Sequence, residues 1–353
     1  MTHESPPRGA ILAALGATYI IWGSTYLAIR VALETIPPFV MAGTRFVVPG
    51  LILIAWTWLK GAAAPTRLHW RSALIIGALM PLGGSGGITW AEQRIPSGLA
   101  ALIIGAVPLW VVVANWIGFG GTRPNRRMTL GLTTGAIGLA LLIGPADIAG
   151  GSSVDTLGAL VALAAALSWA VGSLYSRRAS LPESPLLATG IELLAGGVLL
   201  YALGFASGEG ARFQPDQLSL KSGLAVLYLA LVGSLVAFSA YVWLLRHTTP
   251  ARAASYAYVN PVIAVILGWA LAGEDLNLRM IVAAAIIVGS VVLITSFRAQ
   301  QGERARLKLR SDPPRAAEEA PSEAETPPGT EAPGSPPEAR STGLTARAPV
   351  EGR

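Results

Sequence analysis

Residues equipped for covalent or metal chemistry are scarce in this chain. It has no cysteine, and its three histidines, His3, His69 and His247, are far apart in sequence. That leaves no thiolate nucleophile, no disulfide and no clustered ligands for zinc, an iron–sulfur centre or haem. The run Gly83–Gly87, "GGSGG", fits the G-x-S-x-G nucleophile pattern. A serine nucleophile needs a base within hydrogen-bond reach, yet Ser85 falls in an apolar run and every histidine in a loop or tail. No G-x-x-x-x-G-K-[ST] loop is present to hold ATP phosphates. The expectation is a protein that is not an enzyme and has no cofactor and no metal.

Two ionisable residues, Arg45 and Glu192, stand well inside apolar stretches. A charge at such depth in a bilayer costs about 3 kcal/mol or more, so it faces a protein interior or a wet cavity. Each lies seven residues past a proline, Pro38 and Pro185, so about 10 Å into its helix at a rise of 1.5 Å per residue. The roles expected are a protonation site at Glu192 and an anion or carboxylate contact at Arg45. The alternative is helix packing or snorkelling to the nearer interface.

Aromatic and small polar residues recur in matching places. Trp22, Ser24, Thr25 and Tyr26 fall in one run, and Trp169, Ser173 and Tyr175 in another. Trp90 and Gln93, Tyr241 and Trp243, and Tyr256 and Asn260 complete the set. Tyr and Trp join apolar bulk to one polar handle, which suits a cavity that must release its ligand. Trp56, Trp58, Trp70 and Tyr201 instead read as an interfacial aromatic belt. Pro108 and Pro261 fall near mid-run, where proline frees backbone carbonyls and kinks a helix, so they are the expected hinge or gate.

The elements that must position these residues are membrane helices. Of the 353 residues 52% are hydrophobic and 13% charged, against about 25% charged in soluble domains. Ten runs are long enough to span a bilayer. Those of the first half are 10–29, 38–59, 72–91, 96–117 and the short, Gly-rich 128–144. Those of the second are 156–176, 185–207, 218–245, 251–272 and 279–297. The first begins after Arg8 and lacks a convincing small-residue cleavage site, so it reads as a retained helix.

Loop charges set the orientation. One side holds 12 basic residues, among them Lys60, Arg67, Arg71, Arg123, Arg126, Arg127, Arg177 and Arg178. The other holds five, beside Glu34, Glu92, Asp147, Asp155, Glu209, Asp216, Glu274 and Asp275. The positive-inside rule then places both termini in the cytoplasm of a multi-pass inner-membrane protein. The net charge of +6 reports that topology and implies no nucleic-acid partner. Residues 299–353 hold nine prolines, 17 charges and no aromatic residue, and read as a disordered cytoplasmic tail. Its basic start, from Arg298 to Arg310, reads as a stop-transfer flank or a contact with anionic membrane lipid. Glycine pairs such as Gly131 and Gly135 permit close helix packing within the chain, and leave open a homodimer seam through the fifth or tenth span.

The halves resemble each other. "GSTY" at Gly23–Tyr26 returns as "GSLY" at Gly172–Tyr175, and "PPFVMAGTRFVVPGLIL" from Pro37 as "SPLLATGIELLAGGVLL" from Ser184. Trp90 aligns with Trp243, Pro108 with Pro261 and Trp116 with Trp269. Five spans per repeat is an odd number, so the copies, 8–147 and 155–298, must be inverted in the membrane, as in many secondary transporters.

The stretch "YIIWGSTYLAIRVALETIPPFVMAGTRF" (Tyr19–Phe46), the late "AYVNPVIAVILGWALAGE" (Ala257–Glu274) and the duplicated layout resemble the EamA-type branch of the drug/metabolite transporter superfamily. The resemblance implies an all-α, ten-helix exporter of a small metabolite, amino acid or drug-like compound, driven by a proton gradient. Gly121 stands where the second half has Glu274, so the symmetry is broken there. A passive channel or facilitator is the alternative, although no pore loop or repeated polar ring is present.

Overall fold

The computed structural model describes residues 7–143, 155–248 and 255–311, and every regular element among them is a helix. Asp147, Arg252 and the tail from residue 312 lie outside the described residues. In chain order the helices are α1 (Arg8–Ala32), α2 (Pro38–Leu59), α3 (Arg67–Ala91), α4 (Ser97–Gly118) and α5 (Arg126–Ile143). The second half supplies α6 (Thr156–Ser176), α7 (Pro185–Ala206), α8 (residues 220–247), α9 (Tyr256–Ala272) and α10 (Leu278–Ser311). Seven of them, α1 to α4 and α6 to α8, are long and apolar enough to cross a membrane. The apolar parts of α9 and α10, Val259–Ala272 and Leu278–Ile294, are shorter, and α5 is thinned by two leading arginines and by glycines and threonines. Helix α10 continues through 299–311, which composition assigned to the tail. Arg, Gln, Lys, Leu and Ala, all good helix formers, dominate that stretch.

Local chemistry explains the helix ends. Pro37–Pro38 stops α1 and starts α2 with proline at a first-turn position, where its missing N–H is not needed. Thr66 and His69 form a reciprocal capping box at α3, each accepting from the other's backbone N–H at 3.3 Å. Asp155 caps α6 through Gly158 N–H at 2.6 Å, and Ser219 caps α8 through Ser222 N–H at 3.0 Å.

Two helices carry a wide turn at corresponding places. Residues Ala78–Gly86 of α3 and Tyr228–Val236 of α8 are π-helical, the first around Pro81, which has no N–H to donate. Such turns release carbonyls and often mark functional positions.

Packing is reciprocal. Helix α1 lies against α8 and α9, α6 lies against α3 and α4, and α2 runs along α7. In lipid the apolar effect drives no helix together, so close contact relies on small residues. Ala159, Ala162, Ala165, Ala166 and Ala170 give α6 that surface. Where α2 crosses α7, a Cβ on Gly50 would lie 2.9 Å from the Gly190 carbonyl, and one on Gly190 would lie 3.2 Å from that of Gly50. Gly131 and Gly135 of α5 meet Ile294 and Ser290 of α10 in the same chain.

Helix direction gathers the linkers 33–37, 92–96, 207–219 and 273–277 at one end, termed the acidic end. Linkers 60–66, 119–125 and 177–184 lie at the other, the basic end.

Candidate functional site

An aromatic cluster sits where α1, α8 and α9 meet. Trp22 packs edge-on against Tyr256, with centroids 4.7 Å apart, and tilts against Tyr241 at 5.3 Å. Tyr241 and Tyr256 are themselves edge-on at 5.5 Å. The indole N–H of Trp22 donates to the carbonyl of Gly233, inside the α8 π turn, at 3.0 Å. Two residues along α1, Ser24 shares a 2.6 Å hydrogen bond with Tyr228, at the start of the same π turn. The Thr25 hydroxyl returns to its own helix, donating to the Trp22 carbonyl at 2.7 Å. Asn260, buried on α9, has one end of its amide 3.2 Å from the carbonyls of both Tyr256 and Tyr19, which assigns the nitrogen to that end. Gly23 lets α9 approach, since a Cβ there would meet Ile263 at 2.7 Å.

The second half holds a quieter counterpart. Trp169 on α6 lies over Gly84 in the α3 π turn, where a Cβ would be 2.7 Å from its ring. The neighbouring Ser168 donates to the Leu79 carbonyl of that turn at 2.7 Å, and Ser173 donates back to the Trp169 carbonyl at 2.7 Å. Tyr175 follows, partly buried near the end of α6.

The other expected pathway residues are not in these clusters. Gln93 is exposed, and Trp90 carries the Arg94 guanidinium 4.8 Å above its ring, so both belong to the acidic end. Trp243 stacks on His247 at 4.4 Å, near the basic end. Pro108 stands just after the interruption of α4 at Ala106, whereas Pro261 lies within a continuous α9. The Pro261 ring fills the space beside Gly105 of α4. Trp56 and Trp58 are exposed as a belt requires, but Tyr201 faces inward, its hydroxyl 2.8 Å from that of Thr44.

Arg45 and Glu192 are not brought together. Glu192 is half-buried on α7 and makes no hydrogen bond or ion pair among the described residues. Arg45 lies within reach of the charges of Tyr26 on α1 and of Glu92 at the end of α3. Its Nε is buried without a hydrogen-bond partner, and so are both carboxylate oxygens of Glu92. Burial pushes the Glu92 carboxyl well above the usual carboxylate range; nearby Glu274 adds to the rise, while Arg45 and Arg30 oppose it. The sequence placed Glu92 among the loop charges. The available signal was Thr89–Glu92, three residues apart on one helix face, at the tip of an apolar span.

Charged side chains tie helices together at the acidic end. Glu274, only 8% exposed, accepts from Ser97 N–H and Ser97 O–H at 2.7 Å each and from Gly98 N–H at 3.0 Å, capping α4. Arg30 pairs with the same carboxylate at 3.2 Å. Glu209 caps α2 through the N–H groups of Phe39 and Val40, at 2.9 and 3.0 Å. Arg94 pairs with Asp155 and Lys221 with Glu34.

The basic end is finished differently. There Arg178 donates to the Phe119 carbonyl, and a cavity of about 390 Å³ opens between α4, α5 and α6. Asn115, Thr122, Arg123, Asn125 and Arg177 line it beside Val111, Val112, Met128 and Leu174.

The sequence profile described as the EamA-like transporter family matches twice, over residues 7–144 and 156–296. The chain belongs to the EamA-like transporter family. Within this family it is 41% identical to the uncharacterized inner membrane transporter YedA of Escherichia coli K12, over 81% of this chain and 90% of that one. It is 26% identical to a protein of Salmonella typhimurium named a probable amino-acid metabolite efflux pump, over 81% of this chain and 95% of the other. A solved crystal structure shares the fold at a TM-score of 0.55 and 22% identity, covering 82% of this chain and 98% of that chain. This EamA protein is thus a multi-pass membrane transporter.

Proposed function

We propose that the chain is a proton-driven exporter of a small metabolite, amino acid or drug-like compound. It works by alternating access between two inverted five-helix halves, ten transmembrane helices in all. The observation that carries this reading is the crossed, reciprocal packing: the first helix of each half sits on the π turn of the other half's third helix. Two pseudo-equivalent halves exchange inward and outward conformations at little cost.

Loop charge supports a cytoplasmic basic end, with both termini on that side. The cavity beside Arg123 and Arg177 then admits substrate, and their charge favours a carboxylate. The Trp22, Tyr241 and Tyr256 cluster supplies a mid-membrane contact for apolar or aromatic groups. Release follows when the acidic-end ties part. The Salmonella relative's name favours amino-acid metabolites among the candidate substrates.

The test is a toxicity screen of overexpressing cells against amino-acid analogues and drugs, followed by uptake of any protected compound into inside-out vesicles. Saturable accumulation that collapses with the proton gradient is expected. Unsaturable flux in both directions would instead identify a passive facilitator.

A further inference from the structure

Glu92, the first residue after α3 at the acidic end, is 4% exposed and has neither carboxylate oxygen hydrogen-bonded. An ionised carboxylate stripped of water and left without donors is among the most costly groups a protein can bury. Each element around it contributes a charged or titratable neighbour or none. Helix α1 brings Tyr26 and Arg30, α2 brings Arg45, and the turn after α9 brings Glu274. Helix α6 offers alanines there, including Ala159 and Ala162. Arg94, next along the chain, is turned to Asp155 at the surface.

Neither nearby cation neutralises Glu92 by contact. Arg30 is engaged by Glu274 at 3.2 Å, and Arg45 makes no ion pair with Glu92. The arrangement is therefore built around a neutral carboxyl. We propose that Glu92, rather than Glu192, is the protonation site linked to access at the acidic end, which closes over the protonated carboxyl. This rests on the alternating-access reading above.

Closing transfers one proton from water at that end to a Glu92 oxygen. Opening rehydrates the group beside Arg45 and Arg30, and the proton returns to water. Closure raises the carboxyl's proton affinity, so the closed form is favoured at low pH and loses ground as pH rises through the closed-state value.

The chain has no cysteine, so one introduced at buried Leu99, early in α4, reports access to this end through a membrane-impermeant maleimide. Dividing its labelling rate by that of a cysteine at exposed Leu218 removes the thiol's own titration. In full-length protein in liposomes, the ratio is expected to rise about tenfold per pH unit between the open-state and closed-state values of the carboxyl. Glu92→Gln, which copies the neutral acid, makes the ratio flat. Glu192→Gln leaves the rise intact, and Glu92→Asp, with a carboxyl retained, keeps it even if the Gln variant fails to fold. A flat ratio in the parent, a rise surviving Glu92→Gln, or one abolished by Glu192→Gln overturns the assignment. No substrate flux enters this measurement, so its failure leaves the export reading to the vesicle assay.

Discussion

The two ends of this transporter are built from equivalent pieces and finished differently. At the acidic end Glu274 reaches across from the second half, caps α4 of the first and holds Arg30 of α1. At the matching corner of the basic end Gly121 has no side chain to offer, and a cavity lined by two arginines stands open. A single carboxylate, present in one repeat and absent from the other, thus ties the second repeat to two helices of the first at the acidic end. The lesson is that two copies of one domain diverge through a few unmatched charged residues.

The strongest way to break this contrast is Glu274→Ala. It removes the acceptor for three donors and leaves Arg30 unpaired, for an expected loss of about 3 kcal/mol in closure of the acidic end. Melting of the detergent-solubilised protein and labelling of the Leu99 cysteine both read it. Glu274→Gln, which keeps an acceptor, should show a smaller effect on both.

Next in size is the crossing of α2 and α7, which serves both ends. Gly50→Ala sets a methyl 2.8 Å from the Leu194 nitrogen and 2.9 Å from the Gly190 carbonyl. Backbone cannot yield as a side chain can, so a cost of about 2 kcal/mol is expected. Access at the two ends should change together, whereas Glu274→Ala changes the acidic end first.

The paired Trp22 and Trp169 and the glycines of α2 and α7 were legible in the sequence because duplication repeats them at nearly constant spacing. The contrast between an acidic and a basic set of linkers was legible from loop charge. What the sequence did not disclose was tertiary. Glu92 looked like one more loop charge, since burial by α1 and α2 leaves no trace in hydropathy. Tyr201 looked like a belt residue until its pairing with Thr44 placed it between α2 and α7. Of the two π turns, one left a trace in Pro81 and the glycines of "PLGGSGG", whereas "YLALVGSLV" reads as an ordinary helix.

A smaller effect distinguishes the Asp155 tie. The Gly158 N–H, and then Arg94, hold its carboxyl below the usual Asp range. Its contribution is therefore present at neutral pH and is lost as pH falls through that depressed value. Asp155→Asn should flatten this part of the acid limb of a melting-temperature profile without altering the neutral plateau by more than a cap's worth. Smallest is Lys221→Ala. Its pair with Glu34 is largely exposed on both sides, 64% and 48%, and such pairs contribute about 0–1 kcal/mol. An effect on melting equal to that of Glu274→Ala would show that counting ion pairs, rather than their burial, explains the closed end.

The central claim is that the acidic end must open for substrate to leave. Thr35 and Ser219 approach each other there, the Ser219 N–H donating to the Thr35 hydroxyl at 3.3 Å, one residue in each half. Cysteines at both positions, joined by a short thiol cross-linker, fasten the halves at that end. Cross-linking is expected to abolish substrate accumulation in inside-out vesicles and to leave binding from the basic side intact, and cleaving the linker to restore transport. Undiminished transport in the fully cross-linked protein would contradict the claim.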